Sequence, residues 1–189
     1  MKKIFGLSLV LILVVGIIGV ATFAYLTENE TSSGNSFVSG ILDLTINDVD
    51  GVTQTLYATG MSPGTTVGPS TITLKNTGTI NGTTMDIVFS YIESNESPPV
   101  NKTADEVAAM IQVITLDYGG SNLLSGISDS NSNGYIDIFD LKNADLTALP
   151  GLDAGASKNF DISVQLRNTT GSDFQADGIN MTMTFTLEQ

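Results

Sequence analysis

The sequence predicts an all-β domain with minor helical content, built as a jelly-roll β-sandwich. Three observations predict this fold class: short segments in which apolar and polar residues alternate, an enrichment of these segments in β-branched residues, and Gly- or Pro-containing turns between them. Many short alternating strands separated by such turns are typical of sandwiches and jelly rolls. The length of 189 residues fits one domain of ordinary size.

The first element is a targeting segment. Lys2 and Lys3 precede a charge-free apolar run, and small residues stand at Thr22 and Ala24. This pattern predicts a secretory signal over residues 1–24, removed by signal peptidase, which leaves an extracellular protein with no stable membrane anchor. The run is also long enough to span a bilayer, so an uncleaved anchor is a second interpretation. A type IV pilin leader is a third, although the run lacks the Glu that pilins usually carry there.

A polar segment, 25–36, comes next. It carries Glu28, Glu30 and Gly34 and shows little alternation, so on its own it would make a poor core strand. The simplest interpretation from the residues alone is a frayed N-terminal tail. The folded domain is then expected over 37–189.

Six alternating segments predict the strands of this domain. In the last of them, apolar residues at every second position alternate with hydroxyl and amide residues, so one face is apolar and the other polar. Turn residues such as Ser62-Pro63-Gly64 and Gly119-Gly120 separate the segments. The predicted strands are 41–46, 70–75, 85–92, 112–118, 159–166 and 179–187.

Two short helices interrupt the strands. Residues 103–106 form a capping box, and apolar residues recur at helical spacing through Ile111. A second helix is predicted to begin near Ile138 and to include Leu146. We interpret the stretch of about 98–150 as an insertion that decorates one end of the sandwich.

The sharpest local motif lies in this insertion, over residues 129–140. Oxygen-bearing side chains alternate through its first half, a glycine permits a sharp turn in its middle, and acidic residues close it. This spacing is typical of a Ca²⁺ loop, and hard oxygen ligands suit a hard cation, with an affinity on the order of the 10⁻⁴–10⁻³ M sites of extracellular modules. The alternative is a turn that caps the following helix and holds no metal. The candidate ligands are Asp129, Asn131, Asn133, Tyr135 (through its carbonyl), Asp137 and Asp140.

Six Asn-x-Ser/Thr triplets mark candidate glycosylation sites in an exported protein. A chain this rich in Asn and Thr also produces such triplets by chance. The candidate residues are Asn29, Asn81, Asn95, Asn101, Asn168 and Asn180.

The composition argues against catalysis and against nucleic-acid binding. The chain has no His and no Cys, so it can form neither a Ser–His–Asp triad nor a His-Glu-x-x-His zinc site. With 7 Lys and Arg against 20 Asp and Glu, the net charge of −13 is opposite to what phosphate binding needs. We therefore expect neither an enzyme nor a nucleic-acid-binding protein.

Several motifs, taken in order, resemble the TasA/camelysin family of secreted fibre-forming proteins, which includes archaeal bundling pilins. Residues 21–26, Ala-Thr-Phe-Ala-Tyr-Leu, are similar to the family's signal cleavage region. Residues 37–44, Phe-Val-Ser-Gly-Ile-Leu-Asp-Leu, are similar to its first strand. The resemblance extends over nearly the whole chain through the segments 61–64, 70–78, 103–117, 152–155 and 174–185.

The resemblance implies a secreted jelly-roll subunit that polymerises head to tail into extracellular filaments, either biofilm-matrix fibres or bundling pili. In such filaments the N-terminal segment of one subunit completes a sheet of the next, which gives 25–36 the role of a donor strand. The residues that begin this donor strand are Tyr25, Leu26, Thr27, Glu28, Asn29 and Glu30.

Two other functions stand beside this one. A monomeric Ca²⁺-dependent surface adhesin or binding module is the first, although such proteins usually present exposed aromatic residues and the chain has no Trp. The second is a secreted protease, because camelysin is described as a metalloprotease. The missing His separates this chain from that activity, so we do not carry it over.

Overall fold

The computed structural model describes residues 40–50, 61–94, 102–174 and 177–189. The predicted signal, 1–24, and the predicted donor strand, 25–36, lie outside the described residues. Two α-helices occur in the described part, α1 (Ala104–Ala108) and α2 (Ile138–Lys142), with 3₁₀ turns at Leu124–Gly126 and Ser172–Phe174. Its strands are β1 (Leu44–Ile46), β2 (Val49–Asp50), β3 (Thr66–Asn76), β4 (Thr84–Glu93), β5 (Ile111–Tyr118), β6 (Ser121–Asn122), β7 (Leu149–Pro150), β8 (Ser157–Leu166) and β9 (Ile179–Glu188).

The strands form two antiparallel sheets, which confirms the predicted all-β class with minor helix. Sheet A has the order β2-β1-β3-β8-β5-β6, and sheet B has the order β7-β4-β9. Every pair of neighbouring strands in both sheets is antiparallel. The sheets are unequal, because six strands face three among the described residues.

The core lies between the two sheets. Phe160 on β8 is fully buried, and its ring centroid lies 6.3 Å from that of Phe89 on β4 and 5.2 Å from that of Phe185 on β9. The three rings therefore join sheet A to sheet B through tilted and edge-on contacts, which suit the charge distribution of aromatic rings. Ile138 and Leu141 of α2 are also buried in this core, so the second helix is part of the packed domain.

All six predicted strands occur, because period-two alternation is a strong signal where one face is buried. β1 begins only at Leu44, since Ile41 lies before it as irregular chain and is 60% exposed. The strands β2, β6 and β7 were missed, because each has only two residues and two residues cannot show a period.

Both predicted helices occur but are shorter than predicted. The capping box at Thr103 is present, with both reciprocal hydrogen bonds to Glu106, and α1 ends at Ala108. The prediction that helical spacing continues through Ile111 was wrong, because Ile111 already pairs with Leu166 in sheet A. α2 ends at Lys142, so Leu146 lies beyond the helix, where its side chain still reaches the core.

Candidate functional site

The first half of the loop 129–140 is a turn held by its own side chains. The Asp129 carboxylate accepts hydrogen bonds from the backbone N–H groups of Asn133, at 3.1 Å, and Gly134, at 2.7 Å. The backbone of Gly134 has φ of +84°, a conformation that glycine adopts without steric cost. The glycine in the motif is therefore required by the turn that the structure contains.

The two asparagines of the loop turn their oxygens toward the backbone in the same way. The Oδ1 of Asn131 accepts from the N–H of Asn133 at 3.2 Å, and the Oδ1 of Asn133 accepts from the N–H of Tyr135 at 3.0 Å. Short side chains of this kind mimic a backbone turn. Three consecutive odd-numbered positions thus present an oxygen to the interior of one turn.

The second half of the loop is the N-terminus of α2. The N–H of Asp140 donates to the carboxylate of Asp137 at 3.2 Å, and the N–H of Asp137 donates to that of Asp140 at 3.1 Å, a reciprocal capping box. Both side chains are buried, with 0% and 1% of their surface exposed. The Asp140 carboxylate also accepts from the N–H and hydroxyl of Ser130 at 2.8 and 2.7 Å, which closes the loop.

Asp137 is the point where the two halves meet. Its Oδ2 accepts from the side-chain amides of Asn133, at 2.7 Å, and Asn131, at 3.1 Å. Burial raises the pKa of Asp137 above its ordinary value of 3.8, and the asparagine hydrogen bonds oppose this only in part. A buried carboxylate of this kind is stabilised by a proton or by a cation.

The loop is fastened to the rest of the domain at two places. The N–H of Val113 on β5 donates to the carbonyl of Ile136 at 2.8 Å. The guanidinium carbon of Arg167 lies 4.0 Å from the centroid of the Tyr135 ring, and Arg167 also donates to the carbonyl of Ala109 at the end of α1. The loop is therefore held against sheet A and α1.

The structure thus brings the five predicted side-chain ligands into one hydrogen-bonded loop. It also contains the capping box of Asp137 and Asp140, which is what the alternative, a helix-capping turn without a metal, requires. Within the described ranges, no three His, Cys, Asp or Glu side chains form a group arranged to hold a metal ion. Two of the predicted ligands are asparagines whose amides donate to Asp137. Calcium binding stays a prediction.

The other predicted sites are only partly covered by the structure. The donor-strand residues 25–30 and three of the glycosylation candidates, Asn29, Asn95 and Asn101, lie outside the described residues. Asn81, Asn168 and Asn180 are all exposed, Asn180 on the outer face of β9. Asn81 accepts a hydrogen bond from the N–H of Ala154 at 2.9 Å.

Sequence reasoning missed an open sheet edge. β9 pairs with β4 along ten positions, and within the ranges that the structure describes no strand pairs with its other side. A strand edge offers a row of N–H and C=O groups to any further strand. Alternation along β9 predicts which face is buried, but strand order depends on contacts between distant parts of the chain, so the periodicity could not reveal this edge.

Comparison with known proteins adds a family assignment. A family model described as camelysin metallo-endopeptidase matches residues 1–189. The chain belongs to this camelysin family. This membership confirms the resemblance noted in the sequence and indicates a secreted or cell-surface protein. A search of curated proteins finds no match. Among the helices of the described residues, none has the length and apolar character needed to cross a bilayer.

The residues of this camelysin-family chain do not fit the metal that the family's name implies. Catalytic zinc in peptidases is held by imidazole and carboxylate ligands, with thiolates as the other common donors. The 189 residues include neither His nor Cys, and the buried pair Asp137 and Asp140 is already occupied in capping α2. We derive no hydrolytic step from this donor set.

Proposed function

We propose that the protein is a structural subunit that polymerises into extracellular filaments, in which the segment 25–36 of one copy adds a strand to the open edge of β9 in the next. The observation that carries this proposal is the ten-residue edge of β9, with which no strand of the described residues pairs. Family membership supports the secreted setting, and the filament itself is our inference.

The backbone of β9 is oriented to accept such a strand. The N–H of Ile87 donates to the carbonyl of Leu146, on the side of β4 away from β9. Backbone N–H and C=O groups alternate in direction along a strand, so those of the odd-numbered residues of β4 face away from β9, and those of the even-numbered residues bond to it. Their partners are the even-numbered residues of β9, which leaves the N–H and C=O groups of Met181, Met183 and Phe185 on the open side. A donor strand would pair with these groups.

The side chains at this edge support the same conclusion. The apolar face of β9 packs on the core, yet Ile179, Met181 and Phe185 are only partly buried. Among the described residues, sheet A has six strands and sheet B has three, so sheet A extends further. One more strand beside β9 would cover the half-exposed apolar side chains, and each additional apolar Å² removed from water contributes about 25 cal/mol.

The geometry of the addition leads to a filament. The donor segment and the acceptor edge lie on different parts of the chain, so the contact is head-to-tail, and a head-to-tail contact whose rotation does not close a ring extends into a filament. The segment 25–36 is long enough to run beside the ten residues of β9. Main-chain hydrogen bonds supply much of the affinity in strand addition, so the polar composition of the segment is compatible with the role.

Removal of residues 25–36 tests the donor, and filaments are expected to disappear in negative-stain images. Met181→Pro tests the acceptor, since it removes one outward N–H while the bonds to β4 remain, and proline is tolerated on edge strands. Met181→Ala is the matched control, which loses the side chain and keeps the N–H. Filaments that persist after the deletion, or that Met181→Ala abolishes as fully as Met181→Pro, contradict the proposal.

We further propose that the loop 129–140 binds Ca²⁺ as a structural ion. The converging oxygens of Asp129, Asn131 and Asn133 and the buried carboxylate of Asp137 support it. Bound Ca²⁺ would compensate the buried charge and tie the loop to α2.

Terbium in place of calcium gives a direct test, because Tyr135 in the loop can sensitise its emission. Tyr135→Phe should remove the emission and leave the rise in melting temperature with Ca²⁺. Asp137→Asn should remove both. If millimolar Ca²⁺ produces no shift and terbium no emission, the loop is a capping turn only.

We also infer that the protein has no peptidase activity of its own. The missing His and Cys support this inference. Casein hydrolysis that co-purifies with the protein through successive steps, and that follows its concentration, would overturn it.

A further inference from the structure

The side of β4 that faces away from β9 is covered by other chain segments, but only part of it is paired with a strand. β7 pairs with only Thr84 and Met85 of β4, although β4 continues to Glu93. Beyond them, the N–H of Ile87 donates to the carbonyl of Leu146 at 3.0 Å. The outward N–H and C=O groups of Phe89 and Tyr91 have no backbone partner among the described residues.

Residues 142–150, which we call the edge guard, run beside β4 along this edge. At one end, the Nζ of Lys142 lies 4.6 Å from the centroid of the Tyr91 ring and 3.4 Å from the carboxylate of Asp105. The Tyr91 hydroxyl donates to the same carboxylate at 2.7 Å. At the other end, the N–H of Ala148 donates to the carboxylate of Asp86 at 2.8 Å. These side-chain contacts at Lys142 and Ala148 add to the Ile87–Leu146 bond, to the β7 pairing and to the bonds that the Pro150 carbonyl accepts from Tyr118 and Lys158.

The guard is itself a poor strand. Ala148 has φ of +53°, a left-handed conformation that interrupts extended backbone. Pro150 has no N–H to offer, and Asp145 is exposed. Proline, charge and short length are the devices by which natural sheets make an edge unattractive to another strand.

The strand behind the guard has the opposite character. Residues 87–92 read Ile-Val-Phe-Ser-Tyr-Ile, six residues rich in β-branched and aromatic side chains with no charge, no Pro and no Gly. Segments of this composition pair with copies of themselves when an edge is exposed. On its outer face, Val88 is 54% exposed and Ile92 is 69% exposed, so apolar surface already flanks the edge.

We propose that the β4 edge is a second strand-docking site, that its partner is β4 of another copy of this chain, and that the edge guard keeps it closed. Two β4 edges in antiparallel register make a self-complementary, two-fold contact. With the guard in place, the described part of sheet B offers only β9 to a further strand. With the guard displaced, copies associate through 87–92. This inference does not depend on the donor strand.

The test loosens the guard in the full chain with the double variant K142M/D86A, which removes the side-chain contacts at Lys142 and Ala148, keeps the backbone bonds of Leu146 and β7, and leaves the net charge unchanged. We expect amide exchange at Phe89 and Tyr91 to rise about tenfold and light scattering to increase with time. The matched control, K75M/D48A, removes an ion pair of 3.5 Å between β3 and the turn that joins β1 to β2, with the same change in composition. It should alter neither measurement.

A rescue identifies the associating segment. Ser90→Lys, added to K142M/D86A, places a charge inside 87–92 on the exposed face of β4 and should suppress the scattering while exchange stays fast. Ser125→Lys adds the same charge at an exposed position elsewhere and should not. If K142M/D86A melts below the assay temperature, Asp86→Ala alone, which removes only the bond from the N–H of Ala148, replaces it. Unchanged exchange, fast exchange without association, or equal suppression by both lysines would each overturn the proposal.

Discussion

Replacing Asn76 with alanine is expected to destabilise the domain by about 3–5 kcal/mol. Asn76 ends β3 and has none of its surface exposed. Its Nδ2 donates to the carbonyls of Ile80, at 2.8 Å, and Leu152, at 3.0 Å, and its Oδ1 accepts from the N–H of Gly78 at 2.9 Å. One side chain thus satisfies three backbone groups in two different loops.

The magnitude follows from these three groups. A typical hydrogen bond contributes about 0.5–1.5 kcal/mol net, and a buried group left without a partner costs about 1–3 kcal/mol. Three such losses, with some relief from water entering the space, give the stated range. Against a typical domain stability of about 5–15 kcal/mol, this loss is large enough to unfold a substantial fraction of the protein.

Urea unfolding measures the effect, with an unchanged slope as the sign that the unfolded state is unaffected. Asn159→Ala is the matched control, since exposed Asn159 accepts one bond from the hydroxyl of Thr73 at 3.2 Å and should cost less than about 1 kcal/mol. A loss below about 1.5 kcal/mol in Asn76→Ala, or one equal to the control, would refute the argument that buried bonds dominate here.

Three further outcomes are expected. Gly134→Ala should cost about 1–2 kcal/mol in thermal unfolding from its positive φ alone, because the space around it is open, whereas Gly126→Ala, equally open and without positive φ, should be neutral or slightly stabilising. The pKa of Asp105 is lowered from 3.8, mainly by the hydrogen bond from the Tyr91 hydroxyl and then by the ammonium group of Lys142. The contribution of the ionised Asp105 to the free energy of unfolding is therefore complete above pH 3.8, and it is lost as the pH falls through the lower pKa of the folded state. The melting difference between wild type and Asp105→Asn should be present at pH 6 and vanish in strong acid, and a difference that persists there would contradict the assignment. Phe160→Leu should cost about 1–3 kcal/mol in urea unfolding through its two lost ring contacts, and a neutral result would contradict a stabilising role for these contacts.

The parts of the fold that the sequence predicted are those with a local, repeating signal. β9 was identified because its apolar residues recur at every second position, and α1 because a capping box is read within four residues. The helix lengths were wrong because residues after each box serve the core without being helical, as Leu146 does. In such places burial imposes the same apolar pattern on irregular chain, as at Leu146, or on the start of a strand, as at Ile111.

The sequence predicted which residues form the candidate site in the loop 129–140, but it predicted only part of how their side chains are arranged. Spacing located the oxygens of the loop 129–140 and the glycine that its turn needs. It could not show that Asn131 and Asn133 would donate to Asp137, because an amide has both donor and acceptor groups and its orientation depends on its neighbours. The β9 edge, which is unpaired among the described residues, and the guarded β4 edge depend on strand order, because β4 and β9 are far apart in sequence.

The antiparallel ladder between β4 and β9 also has a mechanical consequence. It runs without a register shift from Thr84↔Glu188 to Glu93↔Ile179, and β9 is the last strand of the described chain. A pull directed along β9 would load this ladder in shear, so that its hydrogen bonds resist together. A pull at right angles to the strand would break them one after another. The unbroken register of β9 therefore favours resistance to tension along the strand axis.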